Sequence, residues 1–316
     1  MRVQAARLER HGQELQVREV ELAQPGDGEV LVQIAFAGVN PVDRYTAQGR
    51  VAPDGPLPRT LGGEGAGTVD GRRVLIRGHG LGTARDGLWA AAAVAPHAAL
   101  IDIPDGVGLA EAAAMGIAGV TAWRCVTELG QVSGSDTVLV LGASGGVGSV
   151  IVSAAHALGA RVVGQTGRAA KRDWVAGCGA DDVIVADESS LADALRQIRP
   201  TVVFDPLGGP FTGIAIEALA PRGRLVLFGT SAGPVGAVPL QLFYRNSLRL
   251  FGYGGLIESD ETMAAAITAA LNAQAAGQLS VPIDSVVPLQ DVNDAFARLE
   301  RRDVRGKLVL DTGGGR

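Results

Sequence analysis

The chain predicts an α/β protein with two domains: a doubly wound parallel sheet and a β-rich, barrel-like companion. Three observations carry this. The 316 residues exceed the roughly 100–200 of a single domain. Short segments containing Val, Leu and Ile, broken by Gly and Pro, fill the first third. From residue 137 onward, apolar strand segments alternate with helix-forming segments, the pattern of a parallel sheet covered by helices.

Taken in order, residues 3–8, 14–19, 29–37, 62–70, 73–77 and 97–103 read as strands. Within the third of these, Val30, Val32 and Ile34 alternate with Leu31, Gln33 and Ala35, which gives one core face and one mixed face. With glycine turns between them, such strands fit an antiparallel barrel. The texture changes near residue 108. Residues 110–118 and 122–129 are helix formers with Gly119 between them. Strands are then expected at 137–141, 161–165, 182–185, 201–205 and 224–228, and helices at 145–158, 169–177, 190–198 and 211–219. A helix over 260–276 is marked by Met263, Ile267, Ala270 and Leu271 at spacings of four and three. Another covers 292–299. Residues 307–310 form a strand long after the alternation closes, and it is expected to return to the first domain. The expected division is therefore 1–119, 120–255 and 256–316, the last part completing the first.

Composition narrows the function. There are 28 basic against 33 acidic residues, a net charge of −5, which argues against a protein built to neutralise phosphate backbones. Hydrophobic residues make up 47% and charged residues 19%, enough apolar material for buried cores and too much for a disordered chain. Two cysteines, Cys125 and Cys178, are too few for a disulfide scaffold or a four-cysteine zinc lobe; they read as small buried apolar residues. The N-terminal segment is charged from Arg2 onward. No apolar run approaches the ~18–20 residues of a spanning helix without interruption. A soluble cytoplasmic protein, with no membrane or nucleic-acid partner, is the expectation.

The apolar strand at 137–141 runs into Gly142-Ala143-Ser144-Gly145-Gly146-Val147-Gly148 and then into a helix. Glycines at a strand-to-helix turn let backbone amides approach a pyrophosphate, and the helix N-terminus adds partial positive charge. Alanine stands at position 143, where the usual dinucleotide pattern has glycine. The next strand ends at Thr166-Gly167-Arg168. An NAD-selective site would place an acid about 20 residues beyond the glycines to hold the ribose hydroxyls. Arg168, Lys171 and Arg172 are found there instead, a cationic group suited to a 2′-phosphate. This favours NADPH.

Further segments carry a family resemblance: Gly38-Val39-Asn40-Pro41-Val42-Asp43-Arg44-Tyr45, Gly62-Gly63-Glu64-Gly65-Ala66-Gly67, Gly119-Val120-Thr121-Ala122-Trp123 and Gly306-Lys307-Leu308-Val309-Leu310. With the glycine turn, they make nearly the whole chain resemble the zinc-independent quinone oxidoreductase (zeta-crystallin-like) branch of the medium-chain dehydrogenase/reductase superfamily. The resemblance implies a GroES-like catalytic domain completed by the C-terminal residues, a Rossmann domain, NADPH in the cleft between them, and a homodimer paired through the segment 247–253. Zinc-dependent relatives have cysteine where Asn40 stands and histidine where Gly63 stands. Asparagine and glycine are poor zinc ligands, and His11, His79, His97 and His156 show no i,i+3 or i,i+4 spacing. Without that Lewis acid, the implied chemistry is hydride transfer to an acceptor already electrophilic, a quinone or an α,β-unsaturated carbonyl.

Carried over by residue, the resemblance implies a nicotinamide and substrate surface from Asn40, Asp43 and Tyr45. It implies cofactor contacts from Thr121, Gly142, Ser144, Gly145, Gly146, Val147, Gly148, Thr166, Gly167, Arg168 and Lys171. Phe228, Gly229 and Thr230 end a later strand of the parallel sheet, where ligand contacts fall. Tyr45 reads as a hydrogen-bond donor to a substrate oxygen or as a loop tyrosine. Asn40 reads as a donor to substrate or as the start of an Asx-type turn. Asp43 reads as orienting the loop, and Glu64 as a residue without a positioned partner. Arg72, Arg73, Arg301 and Arg302 read as solvated charge. Two features depart from the family: Ala186 replaces a common tyrosine, and the stretch between Gly67 and Trp89 is short. Two other functions fit the same residues, an enoyl-thioester reductase of polyketide-type biosynthesis and a non-catalytic NADPH- or RNA-binding protein. The acidic balance disfavours RNA.

Overall fold

The computed structural model describes residues 1–315. The chain opens with β1 (Arg2–Leu8), β2 (Gln16–Glu21), β3 (Glu29–Val39), helix α1 (Pro41–Ala47), β4 (Arg59–Thr60), β5 (Glu64–Val69), β6 (Arg72–Arg77), β7 (Ala92–Pro96) and β8 (Leu100–Asp102). A helical stretch follows: α2 (Leu109–Ala113), a π-helical turn at Met115–Gly119, α3 (Val120–Arg124) and a second π turn at Cys125–Leu129. Then come β9 (Thr137–Val140), α4 (Gly146–Ala157), β10 (Arg161–Thr166), α5 (Arg172–Gly177), β11 (Asp182–Val185), α6 (Glu188–Ala194), β12 (Val202–Asp205), α7 (Pro210–Ala218), β13 (Arg224–Leu227), α8 (Leu240–Arg245) and β14 (Arg249–Gly252). The chain closes with α9 (Asp260–Ala275), β15 (Ile283–Pro288), α10 (Val292–Glu300) and β16 (Lys307–Asp311).

Two compact units result. Unit 1 comprises Met1–Val120, Ser259–Ala275 and Ile283–Arg316; unit 2 comprises Thr121–Glu258 and Ala276–Pro282. Unit 1 holds a three-stranded sheet, β2-β1-β4, and a larger one ordered β15-β16-β3-β5-β6-β8, with β7 also on β3. Its pairings are antiparallel except for β15 on β16, so an antiparallel barrel describes all but one edge. β16 pairs with β3, Leu308 opposite Val39, so the last strand does rejoin the first part of the chain. The core of this unit gathers Leu8, Leu61, Trp89, Leu308 and Leu310. Trp89 is fully buried; its indole N–H donates to the Gly38 carbonyl at 3.1 Å, which satisfies the one polar atom of a large apolar ring. Phe296 of α10 meets that ring edge-on at 5.4 Å.

Unit 2 is a six-stranded parallel sheet ordered β11-β10-β9-β12-β13-β14. The order reverses beside β9, which makes the sheet doubly wound with its crevice there. The inner strands β9, β12 and β13 carry buried apolar runs, as parallel strands covered on both faces require, while β11 and β14 at the edges are partly exposed. A buried polar lock closes one end: Arg224 donates to Asp136 at 2.9 Å and to the Gly130 carbonyl at 2.7 Å, while Thr201 donates to Asp136 at 2.7 Å.

Several expected elements shift. The helix expected at 190–198 is α6 at Glu188–Ala194, because Asp187 caps it earlier, accepting the amides of Ser189 and Ser190 at 3.1 Å each. The segment 97–103 is broken by a 3-10 turn at His97–Ala99, and the strand before it, β7, escapes notice because Ala-Ala-Val-Ala-Pro carries weak β propensity. Helix α1 was not expected, although Pro41 sits at its first turn, where proline is favoured. Gly119 does not separate two helices; the helical path runs through it by π turns. Cys125 is buried and Cys178 half-buried. Arg73 is not solvated charge but half-buried, donating to the Val107 carbonyl. Among the described residues no helix is long and apolar enough to cross a membrane.

Candidate functional site

In unit 2 the turn between β9 and α4 is built by its neighbours. Gly142 takes a left-handed φ of +58°, open to glycine at little cost. Ala143, the departure from the usual glycine pattern, is fully buried, and its methyl lies where a side chain at residue 164 would come within 3.1 Å. Gly164 thus supplies the room that Ala143 takes. Gln165, which sequence reasoning passed over, is 2% exposed. Its side chain accepts the Gly142 amide at 2.9 Å and donates to the Ala186 carbonyl at 2.6 Å. A buried carboxamide bonded at both ends fixes the turn. Ser144 and Thr166 are buried, their hydroxyls 3.4 Å apart.

Helix α4 has Gly145 at its N-cap and no side-chain cap. The first helical bond across the turn runs from the Ser149 amide to the Gly145 carbonyl, 2.9 Å, so the amides of Gly146, Val147 and Gly148 precede any i−4 partner. Free amides at a helix N-terminus are the geometry of an anion site. Beyond β10, Gly167 and Arg168 are exposed and Lys171 is half-buried on a 3-10 turn. The Arg168 amide reaches the Thr166 hydroxyl at 3.5 Å. Arg172, grouped with these cations in the sequence, donates instead to the Val183 carbonyl at 2.8 Å.

At the far side of the crevice, Phe228 and Gly229 are half-buried and Thr230 is exposed after β13. Asp205, a second residue missed in the sequence, organises this end. Fully buried, it accepts the amides of Leu207 and Gly208 at 2.8 and 3.0 Å and the Thr212 hydroxyl at 2.6 Å. Thr121, half-buried, lies in α3.

In unit 1 the structure corrects the reading of Glu64 as unpartnered. Glu64 has no exposed surface. Its Oε1 accepts from Asn40 Nδ2 at 2.7 Å and from Lys307 Nζ at 2.9 Å, and its Oε2 accepts the Ile117 amide at 2.6 Å. Lys307, 2% exposed, also donates to Asn40 Oδ1 at 2.5 Å and to the Val39 carbonyl at 3.2 Å. The three ammonium donors thus have three acceptors. Lys307 lies 243 residues from Glu64, and only the β16–β3 register brings them together. Gly38 makes room: a side chain there would meet Glu64 Oε1 at 2.2 Å.

Asn40, 3% exposed, therefore turns its carboxamide into this network. Asp43, 5% exposed, accepts the Asn40 amide at 2.8 Å and so caps α1. Burial pushes its carboxyl up to about 7, with the Glu64 charge adding to the rise and the Asn40 amide and Lys307 opposing it. Tyr45, half-buried on the same helix, has the Arg50 guanidinium 4.6 Å above its ring, a cation–π arrangement. Gly63 faces open space, the nearest atom to a side chain there being the Leu81 carbonyl at 3.9 Å.

The Asp43 shift has a pH consequence. Between about 4 and about 7 the folded chain keeps a proton that the unfolded chain releases, so stability falls as pH rises through that window and levels off above it. Asp43→Asn should abolish that fall. Relative to the parent, the variant should gain on the order of 2–4 kcal/mol between pH 5 and pH 8, read by urea denaturation at the two pH values. An unchanged difference would show that Asp43 ionises freely in the fold.

Two family models match the chain: the alcohol dehydrogenase GroES-like domain over residues 26–105 and the zinc-binding dehydrogenase family over residues 146–271. The quinone oxidoreductase of Salmonella typhimurium is 30% identical, covering 97% of this chain and 99% of that protein. Among solved structures, a mycobacterial protein complexed with NADPH matches with a TM-score of 0.83 at 28% identity, over 98% of this chain and 99% of that one. An NAD-dependent alcohol dehydrogenase matches with a TM-score of 0.87 at 27% identity, over the same shares. The side chains present do not fit the zinc of the second model's name. Among the described residues no three His, Cys, Asp or Glu side chains group to hold an ion, and the Lys307 ammonium already lies against Asn40 and Glu64. Matched along nearly its whole length, the chain belongs to the medium-chain dehydrogenase/reductase superfamily, in its quinone oxidoreductase branch.

Proposed function

We propose that this chain is an NADPH-dependent, zinc-independent oxidoreductase that reduces quinones or α,β-unsaturated carbonyl compounds. The observation that carries the reading is the donor set of unit 1. Where a zinc-dependent relative needs cysteine and histidine, this chain has Asn40, tied to Glu64 and Lys307, and Gly63. No side-chain set there can hold the Lewis acid that a simple ketone needs as hydride arrives, whereas a quinone or enone spreads the incoming charge by conjugation.

The uncapped N-terminus of α4 supports pyrophosphate binding by Gly142, Ser144, Gly145, Gly146, Val147 and Gly148. Thr166, Gly167, Arg168 and Lys171 would hold the 2′-phosphate end, and Thr121, Phe228, Gly229 and Thr230 the nicotinamide end. NADPH on a structural relative supports the same cofactor. When bound, it supplies a hydride from nicotinamide C4. Tyr45 donates its hydroxyl to the acceptor oxygen, with Arg50 steadying its ring. Asn40 and Asp43 hold the start of α1, and so hold Tyr45. In this reading β14, the last strand of its sheet with Leu250 41% exposed, pairs with a second copy about a two-fold axis.

Cofactor choice is tested by Lys171→Ala, which should weaken NADPH binding about ten- to a hundredfold and leave NADH nearly unchanged. Equal affinities for the two in the unmutated protein, by calorimetry, would refute the choice. For the reaction, NADPH absorbance should fall with quinones and enones after exhaustive chelation and barely change with aliphatic ketones. Tyr45→Phe should lower kcat and kcat/KM together, by about tenfold. Turnover of ketones alone, or activity lost to chelation and restored by zinc, would overturn the reading. The solution mass should be twice 32.3 kDa; a single-chain mass at micromolar concentration would exclude the dimer.

A further inference from the structure

We infer that Glu64 and Lys307 are positioning residues: a buried charge couple that sets both the start of α1, and with it Tyr45, and the π turn at Met115–Gly119 that leads the chain to Thr121. The inference rests on the reading proposed above for Tyr45 and Thr121, and it names two residues which that reading leaves without a task.

The argument begins with cost. Glu64 is 0% and Lys307 2% exposed. Taking both charges out of water is expensive, and a well-packed apolar pair of similar volume is often no less stable. Stability alone is therefore a poor account of the pair, and what it does to its surroundings must supply another. Every bond it makes ends on one of two segments beyond the pair itself. Glu64 Oε1 and Lys307 Nζ hold the two ends of the Asn40 carboxamide, so the residue preceding α1 is clamped from both sides. Glu64 Oε2 takes the Ile117 amide at 2.6 Å.

That second contact explains a local oddity. Met115–Gly119 is a π turn, in which the Gly119 amide reaches back five residues to the Ala114 carbonyl at 3.4 Å. A π turn shifts the register of backbone bonds, and an amide displaced from its usual partner needs another acceptor. The Glu64 carboxylate is that acceptor for Ile117. The packing is built to admit it: a side chain at Gly116 would come within 3.1 Å of Glu64 Oε2 and 3.2 Å of Arg77 Cδ. One carboxylate thus sets two segments, and Lys307, 2.9 Å from its Oε1, holds it in place.

The test uses the full chain with NADPH and 1,4-benzoquinone. Glu64→Leu/Lys307→Met removes both charges and the acceptor of the Ile117 amide at nearly constant volume, and leaves no unpaired ion. Its amide exchange over residues 115–119 should be at least tenfold faster than in the parent, with the rest of unit 1 unchanged. NADPH affinity should change far less than kcat, because the glycine turn is untouched, while kcat falls at least tenfold. Lys307→Arg, which keeps the cation, should recover much of that loss. A double variant with parental kcat and parental exchange over 115–119 would overturn the inference, showing that the pair only stabilises. If the double variant does not fold, the unmutated protein still decides: an Ile117 amide exchanging as fast as surface amides would show that Glu64 does not hold it. Failure of the functional reading looks different. In that case the parent reduces no quinone or enone, while fast exchange in the variant remains confined to 115–119.

Discussion

A carboxylate with no contact with water must find its hydrogen bonds inside the protein. Glu64 finds three, and the organisation of unit 1 follows from them. The Asn40 carboxamide fixes where β3 gives way to α1. The Ile117 amide fixes where the helical stretch after β8 departs from α-helical register. Lys307 ties the final strand to both. Asp43 sits within the same enclosure, and burial pushes its carboxyl up to about 7, with the nearby Glu64 charge adding to the rise.

Unit 2 solves a different problem with the same economy. Its turn after β9 has Ala143 where the usual pattern has glycine, and the space for that methyl comes from a distant position, Gly164 of β10. Gln165 then spans from Gly142 to Ala186, joining three neighbouring strands at the end where the helix amides open. Ala186 contributes through its carbonyl, which any residue there would present, so replacing the tyrosine common in the family leaves this bond intact.

The parallel sheet was legible because strand and helix segments alternate and each strand carries adjacent apolar residues. The return of residues 307–310 was legible for the same reason: a β-rich segment stood alone after the alternation had ended. What escaped notice had no local signature. β7 is mostly alanine, and α6 starts early because one aspartate caps it. Glu64 looked solitary because its partners are 24, 53 and 243 residues away, and only the register of β16 against β3 unites them. The glycine turn was readable as a motif, while Gln165 and Asp205, which shape its two flanks, belong to no motif and are recognisable only by burial with every polar atom bonded.

The separation of Glu64 from Lys307 also orders events during synthesis. In sequence, most of unit 2 falls between the first and second of the three segments of unit 1, so its parallel sheet has all its strands once residue 252 has been made. Unit 1 does not: β3 waits for β16 as its neighbour, and the Glu64 carboxylate waits for its ammonium. Burying that carboxylate before Lys307 arrives would leave an uncompensated charge in the core. The larger sheet can therefore be completed only after the last strand is made, around a pair of ions brought together across nearly the whole chain.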